Sequence, residues 1–168
     1  REYDVKVLDD AGKSVGLTYN GVKIGSDGRS LISCFNVHSQ LTNPIATAGF
    51  MLTDDDAIAE RARLLRNHAI VNGGIDKDGN LGYVYDVVDI GVKYDLTGLC
   101  AAYAVAQFEK TDKFIARRRQ IAAIYDKELA DCPHASLPIK KRDHVYIQYI
   151  IKIDKNRDGF AKELLERG

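Results

Sequence analysis

Between Thr97 and Ala130 apolar residues return at helical spacing with no proline to interrupt them: Leu99, Ala102 and Ala106, then Ile121, Ile124, Tyr125 and Leu129. The spacing predicts one long helix, with Arg117, Arg118 and Arg119 set among its polar positions. At 1.5 Å per residue such a helix reaches about 50 Å, longer than a small domain is wide. It must bridge two bodies or bend. The run is therefore expected as a connecting helix over 96–130 between the segments 1–95 and 131–168.

The residues before the helix read as strands. "VKVLD" (5–9), "LISCFNV" (31–37) and "TAGFMLT" (47–53) are short apolar runs, expected as buried strands. The first ends in acids at its carboxyl edge, which is where ligands sit in α/β sheets. "YNGV" (19–22) predicts a hairpin turn. From Asp54 to His68 three acids lead and Arg61, Arg63 and Arg66 follow, a charge order that suits the helix dipole, and Ile58, Ala62 and Leu65 share one face. Residues 69–83 read as a glycine-rich loop, "VYIQYIIKI" (145–153) as a strand, and the segment from Asp158 as a closing helix. Strands interleaved with helices assign the α/β class.

The 168 residues, 45% of them hydrophobic, suffice for a real core. Lys plus Arg and Asp plus Glu number 24 each, so no net field favours nucleic acid or an anionic membrane. Cys34, Cys100 and Cys132 are too few and too scattered for a disulfide framework or a zinc module, which fits a reducing cytoplasm. No apolar run is long enough for a bilayer, and no signal-like segment opens the chain. The start without methionine and the end on "ELLERG" read as cuts from something longer.

Several short motifs fail on a required residue. "DKNRDG" (154–159) opens like a calcium loop, but Leu165 stands where a closing carboxylate is needed, so Asp158 is expected as a helix N-cap. "DKDGN" (76–80) fails in the same way at Tyr85. "AGKSVG" (11–16) resembles the tail of a phosphate loop, but Val7 replaces its first glycine. His38, His68, His134 and His144 share no close ligand spacing; His38, at the end of a strand, is the best placed of them. Of Asp9 and Asp10, neighbours on a strand, only one can face a given site.

Taken together, three segments resemble one family. "VLDDAGKSVGLTYNGVKIGSDG" (7–28) is similar to V-I-E-D-A-A-H-x-x-G-x-x-Y-x-G-x-x-x-G-S-x-G. "SCFNVHSQLTNPIATAGFMLTDDD" (33–56) parallels S-x-F-S-F-H-x-x-K-x-I-T-x-G-E-G-G-x-x-x-T-D-D, and "AERARLLRNHAI" (59–70) parallels the helix that follows it. "DIGVKYDLTGLCAAYAVAQFEKTDKFIARRR" (89–119) looks like G-Y-x-Y-x-M-T-D-I-Q-A-A-x-x-x-A-Q-L-x-K-L-D-x-F-I-x-R-R-R. These are patterns of the DegT/DnrJ/StrS sugar aminotransferases, pyridoxal-phosphate enzymes of fold type I. The resemblance covers nearly the whole chain.

It implies part of a fold-type-I large-domain sheet, with a partial large domain over residues 1–95, a long connecting helix over 96–130 and the start of a small C-terminal domain over 131–168. It also implies pyridoxal 5'-phosphate as cofactor, a nucleotide-sugar substrate and a homodimer. The reaction implied is amino transfer, usually from glutamate, to a keto-sugar, in making polysaccharide or glycosylated metabolites. Carried over residue by residue, Asp10 matches the acid that pairs with the pyridine nitrogen. Lys13 stands where the family has His or Gln against the ring, Asn36 where it has Ser, and Thr47-Ala48-Gly49 where it has Glu-Gly-Gly. Lys93 and Asp95, in the segment that reaches a neighbouring subunit's cofactor, stand where Asn and Arg are frequent; Gly98 and Cys100 replace the Asp and Gln of T-D-I-Q.

Leu41 falls on the Schiff-base lysine, and no lysine lies between Lys23 and Lys77 to replace it. Leucine can neither bond the cofactor nor move a proton. The resemblance therefore implies a chain that is inactive by itself, cut from or shortened relative to a full enzyme. The alternative expectation is a non-catalytic homologue or fragment serving as a binding or oligomerisation module.

Overall fold

The computed structural model describes residues 3, 5–37, 48–71, 74–75, 81–82 and 85–168, with the backbone alone at 74–75 and 81–82. In chain order the elements are β1 (Leu8–Asp10), β2 (Thr18–Tyr19), β3 (Val22–Lys23), β4 (Ile32–Asn36), β5 (Gly49–Leu52), α1 (Asp56–Leu65), β6 (Ile70–Val71), β7 (Gly74–Ile75), β8 (Leu81–Gly82), β9 (Asp86–Val87), α2 (Gly98–Phe108), α3 (Thr111–Glu128), β10 (Ala135–Ser136), β11 (Lys152–Ile153) and α4 (Arg157–Glu166).

The central sheet runs β1-β4-β5 and is mixed. β1 and β4 are parallel, with Asp10 opposite Cys34; β4 and β5 are antiparallel, with Asn36 opposite Gly49. A parallel pair needs a crossover. Here residues 11–31 supply it through the β2–β3 hairpin, whose Asn20 (φ 52°) and Gly21 (φ 81°) both take the left-handed backbone expected of an Asn-Gly turn.

Phe35 anchors the covered face of the sheet against Ala11 and Val15, with Ile24 and Phe50 packed on it. Its ring stacks on Phe50 at 4.8 Å, and Phe50 meets Phe108 edge-on at 5.3 Å. Val37 and Ala104 continue this core with Ala48 and Phe50. In α1, Asp55 caps the first turn by accepting from the Ile58 amide at 3.1 Å, and Ile58, Ala62 and Leu65 lie half-buried on one side as expected.

Several expectations are corrected. "LISCFNV" is not buried on both faces: Ser33, Phe35 and Val37 are buried while Cys34 and Asn36 are exposed. "VKVLD" is likewise open, with β1 beginning only at Leu8 and Val5, Val7 and Leu8 exposed. Helix α2 and the 11–24 segment cover one face only.

The long helical run bends. The Lys110 amide turns back to the Gln107 carbonyl at 3.0 Å, Thr111 Oγ1 donates to the same oxygen at 3.4 Å, and α3 starts afresh. The break lets Phe108 reach Phe50 while Ile115 and Ala122 form a separate buried stripe.

Within residues 69–83, β6 pairs with β9 and β7 with β8, so this stretch is not simply loop. Of "VYIQYIIKI" only the last two residues pair, with β10, because Tyr146 (φ 49°) leaves the extended conformation. Asp158 does not cap α4. Asn156, at φ 49°, precedes the helix, and Asp158 lies in its first turn beside Arg157 (Nε–Oδ1 2.7 Å). "DKDGN" lies outside the described residues.

The accessible surface is 13,156 Å², against about 8,300 Å² for a compact monomer of this mass. Large apolar side chains lie exposed on it, among them Val87, Val88, Ile90, Tyr94 and Leu99. Among the described residues no helix is long and apolar enough to cross a membrane.

Candidate functional site

Asp10 ends β1 and Asn36 ends β4, so the parallel pairing puts both at one sheet edge. Opposite residues of paired strands, and alternate residues along one strand, share a face. Asp10, Cys34 and Asn36 therefore lie together on the open face, while Asp9 and Ser33 turn to the covered one. Of the two neighbouring acids, Asp10 is the one on the face that carries Asn36.

Gly12 completes the cluster. Its amide donates to Asp10 Oδ1 at 3.0 Å, the geometry of an Asx turn. A Cβ on Gly12 would lie 2.9 Å from that oxygen and 4.0 Å from Asn36 Cβ. The turn is closed by the Ser14 amide on the Ala11 carbonyl (2.8 Å) and seated on Ala11, which is buried. Lys13 projects from this turn and is exposed. The result is a carboxylate oriented by a backbone amide at the sheet edge, able to accept from a cationic or protonated group.

Lys93 stands apart. Its backbone bridges to Asn67, its amine pairs with Asp95 at 3.1 Å, and the neighbouring Val92 and Tyr94 amides bond the Leu65 and Arg66 carbonyls. Within one chain Lys93 belongs to the end of α1. Leu41, His38 and Thr47 lie outside the described residues.

The other histidines are dispersed. His134 Nδ1 lies 3.4 Å from Asp154 Oδ2, and His144 Nδ1 accepts from the Tyr146 amide at 2.8 Å. Among the described residues no cluster of three or more metal-binding side chains occurs.

Two features have no signal in the sequence because they join distant segments. The first is a cleft of about 430 Å³ between α3 and residues 146–151, lined by Arg118, Tyr125, Tyr146 and Tyr149 among others. Tyr149 donates to Asp126 Oδ1 at 2.8 Å, and Lys140 pairs with the same carboxylate. Burial and then the Asp126 hydrogen bond push the Tyr149 phenol up to about 12. Hydrogen bonds from Lys140 and Tyr149 hold Asp126 below its usual range, and burial lowers Arg118.

The second feature is Asp143, whose carboxylate takes both the amide and the hydroxyl of Thr18 and a guanidinium nitrogen of Arg119. Burial alone raises this carboxyl, but those donors outweigh it and hold it low.

A family model described as the DegT/DnrJ/EryC1/StrS aminotransferase family matches residues 1–168. Among solved structures, AtS13 from Actinomadura melliaura is 29% identical, with a TM-score of 0.74 over 97% of this chain and 42% of its own length. S. venezuelae DesV is 25% identical, with a TM-score of 0.81 over 99% of this chain and 42% of its own. The aminotransferase TlmJ from Streptoalloteichus hindustanus, 22% identical, shares the fold at a TM-score of 0.83 over 100% of this chain and 44% of its own. The architecture is thus the α/β fold of these proteins, and the chain spans less than half the length of the structures it matches.

Proposed function

The chain belongs to the DegT/DnrJ/EryC1/StrS aminotransferase family, and from that premise we propose that it carries the frame of a pyridoxal-phosphate-dependent nucleotide-sugar aminotransferase without performing the amino transfer by itself. The proposed parent reaction moves an amino group from glutamate to a keto-sugar, in making polysaccharide or glycosylated metabolites. When bound, pyridoxal phosphate supplies an electron sink.

The observation that carries the reading is the cluster of Asp10, Gly12 and Asn36 at one edge of the parallel pair. A carboxylate held there by the Gly12 amide suits a protonated ring nitrogen and favours keeping the proton on it. Asn36 shares that face. At position 41 the fit fails: leucine has no amine to anchor an aldehyde and no group to accept a proton. Binding is accordingly proposed as noncovalent and weak. In the same reading residues 1–95 are part of the large domain and 131–168 open the small one, with the rest of the pocket supplied by polypeptide outside this chain.

The test is spectroscopic. Pyridoxal phosphate is titrated into the chain and into Asp10→Asn, followed by borohydride reduction and intact mass. Weak binding that Asp10→Asn diminishes, with no pyridoxyl adduct, is the expected result. A lysine adduct accompanied by transaminase turnover overturns the inactive reading.

A second reading, a binding or oligomerisation module, is favoured by the excess surface and by the exposed apolar positions 87–99. Under it the partner is a second copy of the chain. Sedimentation equilibrium decides: a dimer that Ile90→Asp or Leu99→Asp dissociates supports this reading, and a monomer at all concentrations removes it.

A further inference from the structure

Resting on the reading of Asp10 and Gly12 as a cofactor-facing site, we infer that Asp143 is a positioning residue for it, acting through Thr18 on the turn that carries Gly12 and Lys13. Asp143 lies 125 residues from Thr18 in sequence, yet its Oδ2 accepts from the Thr18 amide at 3.3 Å and from its hydroxyl at 2.5 Å. Its other oxygen takes Arg119 Nη2 at 2.6 Å and the His144 amide at 2.9 Å. Arg119 Nε also donates to the His144 carbonyl at 3.3 Å, so the clasp is tied to α3 from two sides.

The connection to the site is continuous. Thr18 follows Leu17, whose amide bonds the Ser14 carbonyl at 2.9 Å, and the Ser14 amide bonds the Ala11 carbonyl at 2.8 Å. Gly12 is the next residue, and its amide holds Asp10. Three hydrogen bonds therefore lead from the clasp to the carboxylate of the site. Between the two ends the segment is pressed onto α3: Gly16, at φ +76°, approaches Ile115 so closely that a Cβ would lie 2.5 Å from its Cδ1. Lys23 faces Asp112 of the same helix at 3.8 Å. A segment held at both ends and seated in the middle transmits displacement instead of absorbing it.

The groups around Asp143 are Thr18 and Tyr19 from β2, Arg119 from α3, and Arg142 and His144 from its own segment. Arg29, itself paired with Asp27, lies 4.2 Å over the Tyr19 ring, and Arg142 lies 5.5 Å over it. Against the upward push of burial, the Thr18 hydrogen bonds and then the Arg119 charge keep the carboxylate charged until the pH falls below the ordinary carboxylate range.

The test follows backbone amides by NMR through an acid titration in the 168-residue chain, in Thr18→Val, Thr18→Ser and Asp143→Asn, together with a pyridoxal phosphate titration of each. Gly12 also senses Asp10, so the difference between the parent chain and Thr18→Val isolates the Asp143 step. In the parent chain the Thr18, Gly12 and Lys13 amides share one low-pH step, that of Asp143. Thr18→Val uncouples Gly12 and Lys13 from it, and Thr18→Ser restores them.

Cofactor affinity falls several-fold in Thr18→Val and in Asp143→Asn, with no further fall when the two are combined. Gly12 and Lys13 amides that ignore a step seen at Thr18, or a Thr18→Ser that behaves like Thr18→Val, overturns the proposal. If the parent chain takes up no pyridoxal phosphate, the site reading fails, while the amide titration still decides the clasp.

Discussion

Gly12 and Asp10 approach so closely that a methyl group added to Gly12 would lie 2.9 Å from Asp10 Oδ1, the oxygen that its own amide already holds at 3.0 Å. The obstruction is the end of a flexible side chain, so Gly12→Ala is expected to fold. Its cost is about 1 kcal/mol or less, read from a urea melt. The Asp10 carboxylate turns away, and the change appears in its 13C shift and in weakened pyridoxal phosphate binding.

Gly16 offers a contrast. Its φ of +76° disfavours any side chain, and a Cβ would meet both Ile115 and Thr111 of α3. Gly16→Ala is expected to cost about 1–3 kcal/mol, from backbone strain and overpacking together. A lower urea midpoint with unchanged slope checks this.

Phe35 is 6% exposed, and its ring stacks on Phe50. Truncation to alanine removes a large part of a thin core, at about 3–5 kcal/mol. Native domains hold only about 5–15 kcal/mol in total. Phe35→Ala is therefore expected to leave the chain substantially unfolded at room temperature, measured by circular dichroism.

The Tyr149 and Asp126 pair predicts stability effects at both ends of the pH scale. The Tyr149 phenol is raised to about 12 when folded. Its contribution is complete below the ordinary phenol value of about 10 and is lost as pH rises through 12. Asp126 is lowered, so its contribution is present above the ordinary carboxylate range and disappears as acid titrates it below that range. Ultraviolet titration should show one tyrosine ionising last, and Tyr149→Phe should remove that step and move the Asp126 pKa upward.

Leu41→Lys restores an amine at the position that the family resemblance assigns to the Schiff-base lysine. The expected outcome is a borohydride-trapped pyridoxyl adduct on residue 41, found by peptide mass and absent from the parent chain. An adduct on another lysine would show that position 41 does not reach the cofactor.

Local patterns were legible wherever neighbours in sequence carry the physics. Asn20-Gly21 specifies its turn because both residues tolerate left-handed backbone, and Asp55 to Leu65 specifies α1 through a cap and a one-sided apolar stripe. The position of Asp10 at the carboxyl end of β1 was legible too, because the strand-like run ends there in acids. The family patterns that single out Asp10 and Leu41 stand in the sequence without any coordinates.

What only the tertiary structure decided are the relations between distant segments. Apolar periodicity runs unbroken through Glu109 and Lys110, and the bend there exists because Phe108 packs on Phe50 while Ile115 meets Gly16. The residues 145–151 alternate like a strand, yet Tyr146 turns aside and the pairing begins only at Lys152. Thr18 finds Asp143 across 125 residues. Backbone propensity and side-chain alternation act over a few residues and can be read along the chain. A hydrogen bond or a ring contact between segments depends on where both chain paths lead, and that is decided by the packing of the whole.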